Sequence, residues 1–302
     1  MGQTRLRFLG TGTSQGVPIV GCDCEVCRST DPRDKRFRAA ALVEYKGLTI
    51  LIDCGPDFRS QMIAAGVRHV DAILLTHNHM DHVGGLDDVR AFNYIDRKTA
   101  EIYCEDRVLD SLKIMYSYAF VDEKYPGAPE WRVHRISEQP FLVYPNDKGN
   151  LEWVREVGYC HRLEDGSIVP CDGNIVSDAF SPDDSAAPEG GVEIIPIRGL
   201  HGKMPVLGFR FGDIAYITDM SYIPEEEFVK LKGLKHLTLN TVSYHPHHSH
   251  FSYEEALALA KKIGAEHTWL THLAHAFPRH EEFMKQLPEG VAPAYDGLII
   301  ED

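Results

Sequence analysis

Residues 76–85 read Thr-His-Asn-His-Met-Asp-His-Val-Gly-Gly, which puts His77, His79, Asp81 and His82 within six consecutive positions. Neutral imidazoles and a carboxylate are donors that zinc, manganese and iron share, so this run implies a divalent metal site with a position open to water. The preceding Asp71-Ala-Ile-Leu-Leu-Thr76 is a short apolar run bounded by polar residues, the pattern of a buried strand. Two ligands on one helical face need i, i+4 spacing, so the i, i+2 spacing of His77 and His79 predicts an extended loop at the strand end. Gly84-Gly85 then fits a tight turn. A solvated His-rich turn would not account for Asp81 lying between imidazoles. The remaining ligands must come from later in the chain.

Thr-His-x-His-x-Asp-His followed by Gly-Gly resembles the metal signature of the metallo-β-lactamase superfamily. The resemblance implies an αββα sandwich, two mixed sheets flanked by helices, with a binuclear metal site on one edge. It also implies later motifs in fixed order, and the chain holds a match for each. Leu200-His201-Gly202 follows the apolar Val192–Ile197 stretch, Asp219 ends a hairpin turning at Gly212-Asp213, and His272 ends Trp269-Leu270-Thr271. Asp53, after Leu48–Ile52, fits the buttress of the metal loop. Residue by residue, the resemblance implies that His77, His79 and His201 hold one metal. It gives Asp81, His82 and His272 to the other, with Asp219 as the bridge. Two such cations can bind hydroxide and clamp a phosphoryl group.

The amino terminus narrows the resemblance. Phe8–Pro18 is a strand followed by a glycine-rich loop, and it lacks both the Gly-Lys-Ser/Thr of a Walker loop and the dinucleotide spacing. Cys22, Cys24 and Cys27 follow at x and x-x spacings, a thiolate knuckle lacking one ligand, which His275 can complete as a closed Cys3His zinc site. Together these motifs resemble the phosphonate-pathway phosphodiesterases that open a cyclic ribose phosphate. That subfamily implies a structural zinc on the three cysteines and a histidine, and manganese or a similar pair in the active site. It also implies an extra histidine about twenty residues before the last metal ligand, and His250 matches that place. An imidazole there can give a proton to the leaving oxygen if its pKa lies near the working pH. His245, His247 and His248 crowd the same loop.

Residues 122–190 depart from the subfamily. They hold Tyr125–Pro129, Pro145–Gly149 and Ser181–Gly191, all rich in turn chemistry, with short β-like runs such as Phe141–Tyr144 between them. We read this stretch as an irregular insertion with a small hairpin, inside a single domain spanning 1–302. It could cover the active site or form a homodimer contact. Cys160-His161 with Cys171 hints at a further metal, but no fourth ligand is apparent, so buried thiols are the better reading.

The formal charge of −14, from 45 acids against 31 bases, disfavours a large nucleic-acid partner, because polyanions meet basic stripes and this chain has none. A ribonuclease Z-like RNA phosphodiesterase is therefore an alternative and not the first choice. Small anions remain compatible, with Arg198, Lys203 and Arg210 as candidate phosphate contacts. No apolar run approaches the length of a membrane span, no signal-peptide core is visible, and seven cysteines suit a reducing cytoplasm.

Strands and helices alternate. Ala39–Tyr45 pairs with Leu48–Asp53 across Lys46-Gly47, and helices are predicted at 58–65, 85–94, 107–118, 224–231, 253–263 and 281–287, the fifth opened by a Ser252/Glu255 capping box. Tyr295–Ile300 is expected to close the second sheet. The expected function is a binuclear phosphodiesterase cleaving a small or cyclic phosphodiester by metal-bound hydroxide, with Asp81 and Asp219 at the metals and His250 at the leaving group. The expected cofactors are two divalent ions, manganese or zinc with iron possible in principle, and one structural zinc. A thioester or lactone hydrolase is the runner-up among hydrolases. A di-iron oxidoreductase would replace a loop histidine by a carboxylate and a pseudoenzyme scaffold would lose loop ligands, and neither change is present.

Overall fold

The computed structural model describes residues 3–121, 124–125, 127–146, 151–154, 158–162, 167–170 and 175–302. In chain order the strands of the amino-terminal half are β1 (Arg5–Gly10), β2 (Ala40–Tyr45), β3 (Leu48–Ile52), β4 (Ala72–Leu74), β5 (Ala100–Cys104) and β6 (Trp131–Arg135). There follow β7 (Phe141–Val143), β8 (Leu151–Val154), β9 (Gly158–Arg162), β10 (Ile168–Pro170) and β11 (Ile175–Asp178). The carboxyl half adds β12 (Val192–His201), β13 (Met204–Phe211), β14 (Ile214–Tyr216), β15 (His236–Asn240), β16 (His267–Thr271), β17 (Val291–Pro293) and β18 (Ile299–Glu301). The helices are α1 (Glu25–Arg28), α2 (Phe58–Ala65), α3 (Met80–Val83), α4 (Arg90–Asp96), α5 (Asp106–Met115), α6 (Tyr253–Ile263) and α7 (His280–Met284).

Eight strands form one mixed sheet in the order β11-β6-β5-β4-β3-β2-β1-β18, and seven form the other in the order β17-β16-β15-β14-β13-β12-β7. Alternation along the strands explains the layering. Phe8, Val43, Ile50 and Ile52 face Leu207, Phe209 and Phe211 in one buried cluster between the sheets. Leu51 and Ile73 point the other way, against Phe58 and Met62 of α2 and Val108 and Leu112 of α5. Leu237 and Leu270 likewise pack under Ala256 of α6 and Phe283 of α7. The result is helix, sheet, sheet, helix, the αββα sandwich.

Several elements form where local chemistry directs. Lys46 and Gly47 both take positive φ between Tyr45 and Leu48, as a two-residue hairpin turn requires. Gly66 ends α2 in the left-handed region, and Ser252 with Glu255 closes a capping box on α6. Two expectations are corrected. The terminal strand β18 does not close the second sheet; it pairs antiparallel with β1 in the first, and Val291–Pro293 closes the second beside β16. Residues 224–231 form a 3-10 segment, Glu225–Leu231, in place of an α-helix.

The 122–190 stretch is distributed differently from an insertion with one hairpin. β6 and β11 extend the first sheet in parallel, and β7 forms the edge of the second, antiparallel to β12. Among the described residues of this stretch β8, β9 and β10 stand apart, as an antiparallel meander. Cys160 is buried on β9, and Cys171 lies outside the described residues.

Candidate metal centre

The site residues leave the sandwich at strand ends. Asp53 follows β3, His77 lies three residues past β4, His201 ends β12, Asp219 lies three residues past β14, and His272 follows β16. The metal loop is not extended throughout, as its spacing predicted. His79 is the N-cap of the short helix α3, which carries Asp81 and His82 on one turn. Gly84 has φ −67°, so the glycines serve close approach and not a left-handed turn. A Cβ at Gly85 would lie 2.1 Å from the Gly55 carbonyl oxygen, and one at Gly55 would lie 2.0 Å from that of Asp81. Bare backbone lets the segment after β3 press against α3, where Cys54 N–H donates to His82 O at 2.7 Å.

Among the described residues five that are not glycine have positive φ, and three of them are Asp53 (63°), Asp219 (56°) and His272 (58°). Left-handed backbone at these residues costs about 1–3 kcal/mol each and persists where the surroundings dictate it. Here the turn swings each side chain from the strand direction into the space between the sheets' ends. Asn240, at the end of β15, holds the turn after Asp219 by a reciprocal pair of bonds with the Met220 backbone, both 2.9 Å.

The side chains converge in three groups that share one carboxylate. His77, His82 and Asp219 form one group, Asp81, Asp219 and His272 another, and His201, Asp219 and His250 the third, with ligand atoms within 4.8 Å of one another in each. His82 Nε2 lies 3.2 Å from Asp219 Oδ2 and 3.3 Å from Asp81 Oδ2, and His272 Nδ1 lies 3.2 Å from Asp219 Oδ2. His79 belongs to none of these groups; its ring centroid stands 4.7 Å from that of His77 and 5.0 Å from that of His201. His250 stands beside His201, with Nδ1 3.8 Å from Asp219 Oδ1.

The ring orientations are fixed from behind. Asp53 accepts from His82 Nδ1 at 2.7 Å and from the Thr76 hydroxyl and amide. The Thr76 oxygen, its own proton given to Asp53, accepts from His77 Nδ1 at 2.9 Å. His201 Nδ1 donates to the Ser249 carbonyl at 2.7 Å. His77 Nε2, His82 Nε2, His250 Nδ1 and His272 Nδ1 are buried with no hydrogen-bond partner. Buried polar nitrogens are rarely left unsatisfied, and four aimed at one pair of carboxylates is the arrangement a cation satisfies.

Electrostatics agree with that fit. Burial lowers the pKa of His77, His79, His201 and His272, holding them neutral and able to donate a lone pair. Asp219 and Asp81 are held well below the usual carboxylate range, since the surrounding imidazoles, His272 and His82 foremost, outweigh their burial. His82 is raised instead: burial opposes its charge, but Asp219, Asp53 and Asp81 outweigh burial. His250 is pushed down to about 3, by burial first and then by His272.

A second cluster fits the expected knuckle. Cys22, Cys24, Cys27 and His275 bring their ligand atoms within 4.8 Å of one another, with His275 Nδ1 3.2, 3.4 and 3.6 Å from the three sulfurs. Cys24 caps α1 and accepts the Cys27 N–H, the main reason its pKa falls to about 6, whereas burial raises Cys27 to about 11.

The candidate phosphate contacts fare unequally. Arg198 is bound by Glu105 and Glu138, and Arg210 by the carbonyls of Gly212, Lys230 and Lys232, so both are structural. Lys203 is exposed in the turn after His201. Sequence reasoning missed Arg107. From α5 it donates to Asn78 Oδ1 at 3.0 Å, between the loop histidines, and to Pro205 O at 2.9 Å beside the His201 turn. Its i, i+4 neighbour Ser111 takes the other end of Asn78 at 2.7 Å, a pairing no local motif announces.

The model of the beta-lactamase superfamily domain matches residues 49–152 and 154–273. The chain belongs to the metallo-β-lactamase superfamily. That fold implies divalent metal ions and a metal-dependent hydrolase. Among solved structures of the superfamily, a diphosphatase of the PhnP family is similar over 100% of this chain and 98% of its own, at 33% identity and a TM-score of 0.78. An octanoyltransferase of Porphyromonas gingivalis is 36% identical over 297 residues, 97% of this chain and 51% of that protein. This chain therefore spans about half the length of that relative. A ribonuclease Z of Agathobacter rectalis is 23% identical over 295 residues, 88% of this chain and 91% of that one.

Proposed function

We propose that this metallo-β-lactamase fold protein is a phosphodiesterase with a two-cation site, acting on a small or cyclic phosphodiester. The observation that carries the reading is the Asp219 carboxylate, common to all three ligand groups. In this reading His77, His79 and His201 hold one cation, Asp81, His82 and His272 the other, and Asp219 lies between. When bound, such a pair, manganese or zinc, would polarise phosphoryl oxygens and acidify water. Asp53 and Thr76 keep His82 and His77 with their second nitrogens turned inward. Ser249 does the same for His201. His250, held neutral by burial, offers a ring N–H to the leaving oxygen, so its part is hydrogen bonding more than charge. Cys22, Cys24, Cys27 and His275 hold a structural zinc in the same proposal.

The small substrate, the cytoplasmic setting and a homodimer formed through 122–190 belong to the proposal too. The described helices include none long and apolar enough to cross a membrane. The full-length similarity to a diphosphatase supports a second reading, in which the linkage cut is a diphosphate bridge. Purified protein loaded with manganese or zinc tests both, on bis(p-nitrophenyl) phosphate, a ribose cyclic phosphate, a nucleotide diphosphate ester, precursor tRNA and an acyl thioester. Turnover of the first two supports the phosphodiesterase, and turnover of the third alone supports the second reading. Turnover of the thioester alone, or of none, refutes both. His250→Ala with normal metal content and a strongly reduced rate supports the leaving-group role; loss of metal would make His250 a ligand.

A further inference from the structure

We infer that the cavity beside the glycine-rich loop is a second binding site, built for a small organic anion with an apolar body. The cavity holds about 570 Å³ and lies between β1, the Val17-Pro18 segment, the last turn of α2 and Asp296-Gly297. None of its lining residues is a candidate metal ligand.

Arg36 decides its character. The residue is 8% exposed, and its Nη1 donates to Thr11 Oγ1 at 2.7 Å and to the Ala294 carbonyl at 2.6 Å. Both acceptors are neutral. Among the described residues Arg36 makes no ion pair; Asp296, Asp34 and Asp31 act on it only through space. The nearby carboxylates are already engaged. Asp296 accepts from the Thr11 hydroxyl and the Phe37 amide, and Asp34 from Ser29 and the His280 amide. A desolvated guanidinium with no carboxylate in contact is costly unless a counter-charge arrives from outside.

The same wall carries two more cations bonded only to neutral oxygens. Arg7 donates to the Ala65 carbonyl and keeps a buried Nε without a partner, and Lys35 donates to the Cys27 carbonyl. Leu9, Val17, Pro18 and Phe37 supply an apolar remainder. Three cations against the one lining carboxylate, Asp296, whose oxygens are taken by Thr11 and the Phe37 amide, match a carboxylate or phosphate head on a short hydrocarbon body, whereas inorganic phosphate would leave the apolar wall unused. The inference is independent of the reaction proposed at the metal centre.

Calorimetric titration of the metal-loaded protein with hexanoate, hexyl phosphate, hexylamine, hexanol and inorganic phosphate tests it. Saturable one-to-one binding of hexanoate or hexyl phosphate is expected, with the preferred head identifying the ligand class. Hexanol should bind about tenfold or more weakly, as expected from loss of charge-assisted hydrogen bonds. Hexylamine should not bind. Lys35→Gln should weaken the anions, and Ala64→Trp, which fills the cavity from α2 and leaves the cations themselves in place, should abolish binding with both metal contents unchanged. Equal affinity for hexanoate and hexylamine, no saturable anion binding, or undiminished binding in folded Ala64→Trp would overturn the inference.

Discussion

Left-handed backbone at Asp53, Asp219 and His272 ties local strain to the candidate centre, and it gives a stability test separate from chemistry. Replacing His272 by glycine or alanine removes the same imidazole, but only glycine adopts φ 58° without a Cβ penalty. His272→Gly should therefore be more stable than His272→Ala by about 1 kcal/mol, read as denaturation midpoints of the two metal-free variants. Equal midpoints would show that the surroundings, not His272, carry the strain. Asp53→Asn keeps the shape but loses the charge that accepts from His82 Nδ1 and Thr76. Loss of such an outer partner should lower metal affinity or activity about 10–100-fold, measured by metal analysis beside kinetics. The identities of these residues were legible in the sequence, since donor type follows from side-chain chemistry. Their grouping was not: that His250 joins His201 and Asp219 in one ligand group depends on a loop 48 residues beyond His201, pinned through the Ser249 carbonyl.

At the level of elements, α5 and α7 do work that no motif marks. Arg107 on α5 ties the metal loop to the start of β13 beside the His201 turn. Arg107→Ala should reduce active-site metal retention while leaving the Cys3His cluster loaded, because α5 does not touch the knuckle; equal loss from both would indicate general unfolding. His280 opens α7 with a buried Nδ1 that lacks a partner, and burial, with Arg36 and Arg33 nearby, lowers its pKa from 6.5 to about 4. The sign follows from which state binds the proton. Between pH 6.5 and 4 the unfolded chain protonates His280 and the folded one does not, so its contribution is intact above pH 6.5 and lost as the pH falls toward 4. A His280→Asn variant should lose that part of the pH slope in urea unfolding. The knuckle was legible because thiolate spacing is local. The helical turn α3 was not, because i, i+2 spacing fixes the first two histidines only, and Asp81 and His82 follow the backbone packed against Gly55 and Gly85.

For the whole molecule, charge and layering set what can approach. A formal charge of −14, with Arg198 and Arg210 bound internally, underlies our proposal that the substrate is not a large polyanion. Precursor tRNA should show no binding at low salt in a gel or anisotropy titration, and tight binding that weakens steeply with salt would restore the ribonuclease Z reading. The αββα order was implied by the superfamily that the metal motifs resemble, and the alternation of apolar runs, turn residues and caps agreed with it. Which edge each late strand joins was not: β18 crosses to β1, and β6, β7 and β11 leave the expected insertion for both sheets, because pairing partners are chosen by packing across the core. The sequence by itself determined the metal-loop donors, the thiolate knuckle and the hairpins, since each rests on side-chain chemistry or nearest-neighbour geometry, and the order of its motifs carried the resemblance that implied the superfamily and the later ligands. Only the tertiary structure decided the place of His250, the bracing by Asn240 and Arg107, and the buried unpaired charge of Arg36. Each of these depends on distant segments meeting in space, where burial strengthens or penalises a polar group according to which partners arrive with it.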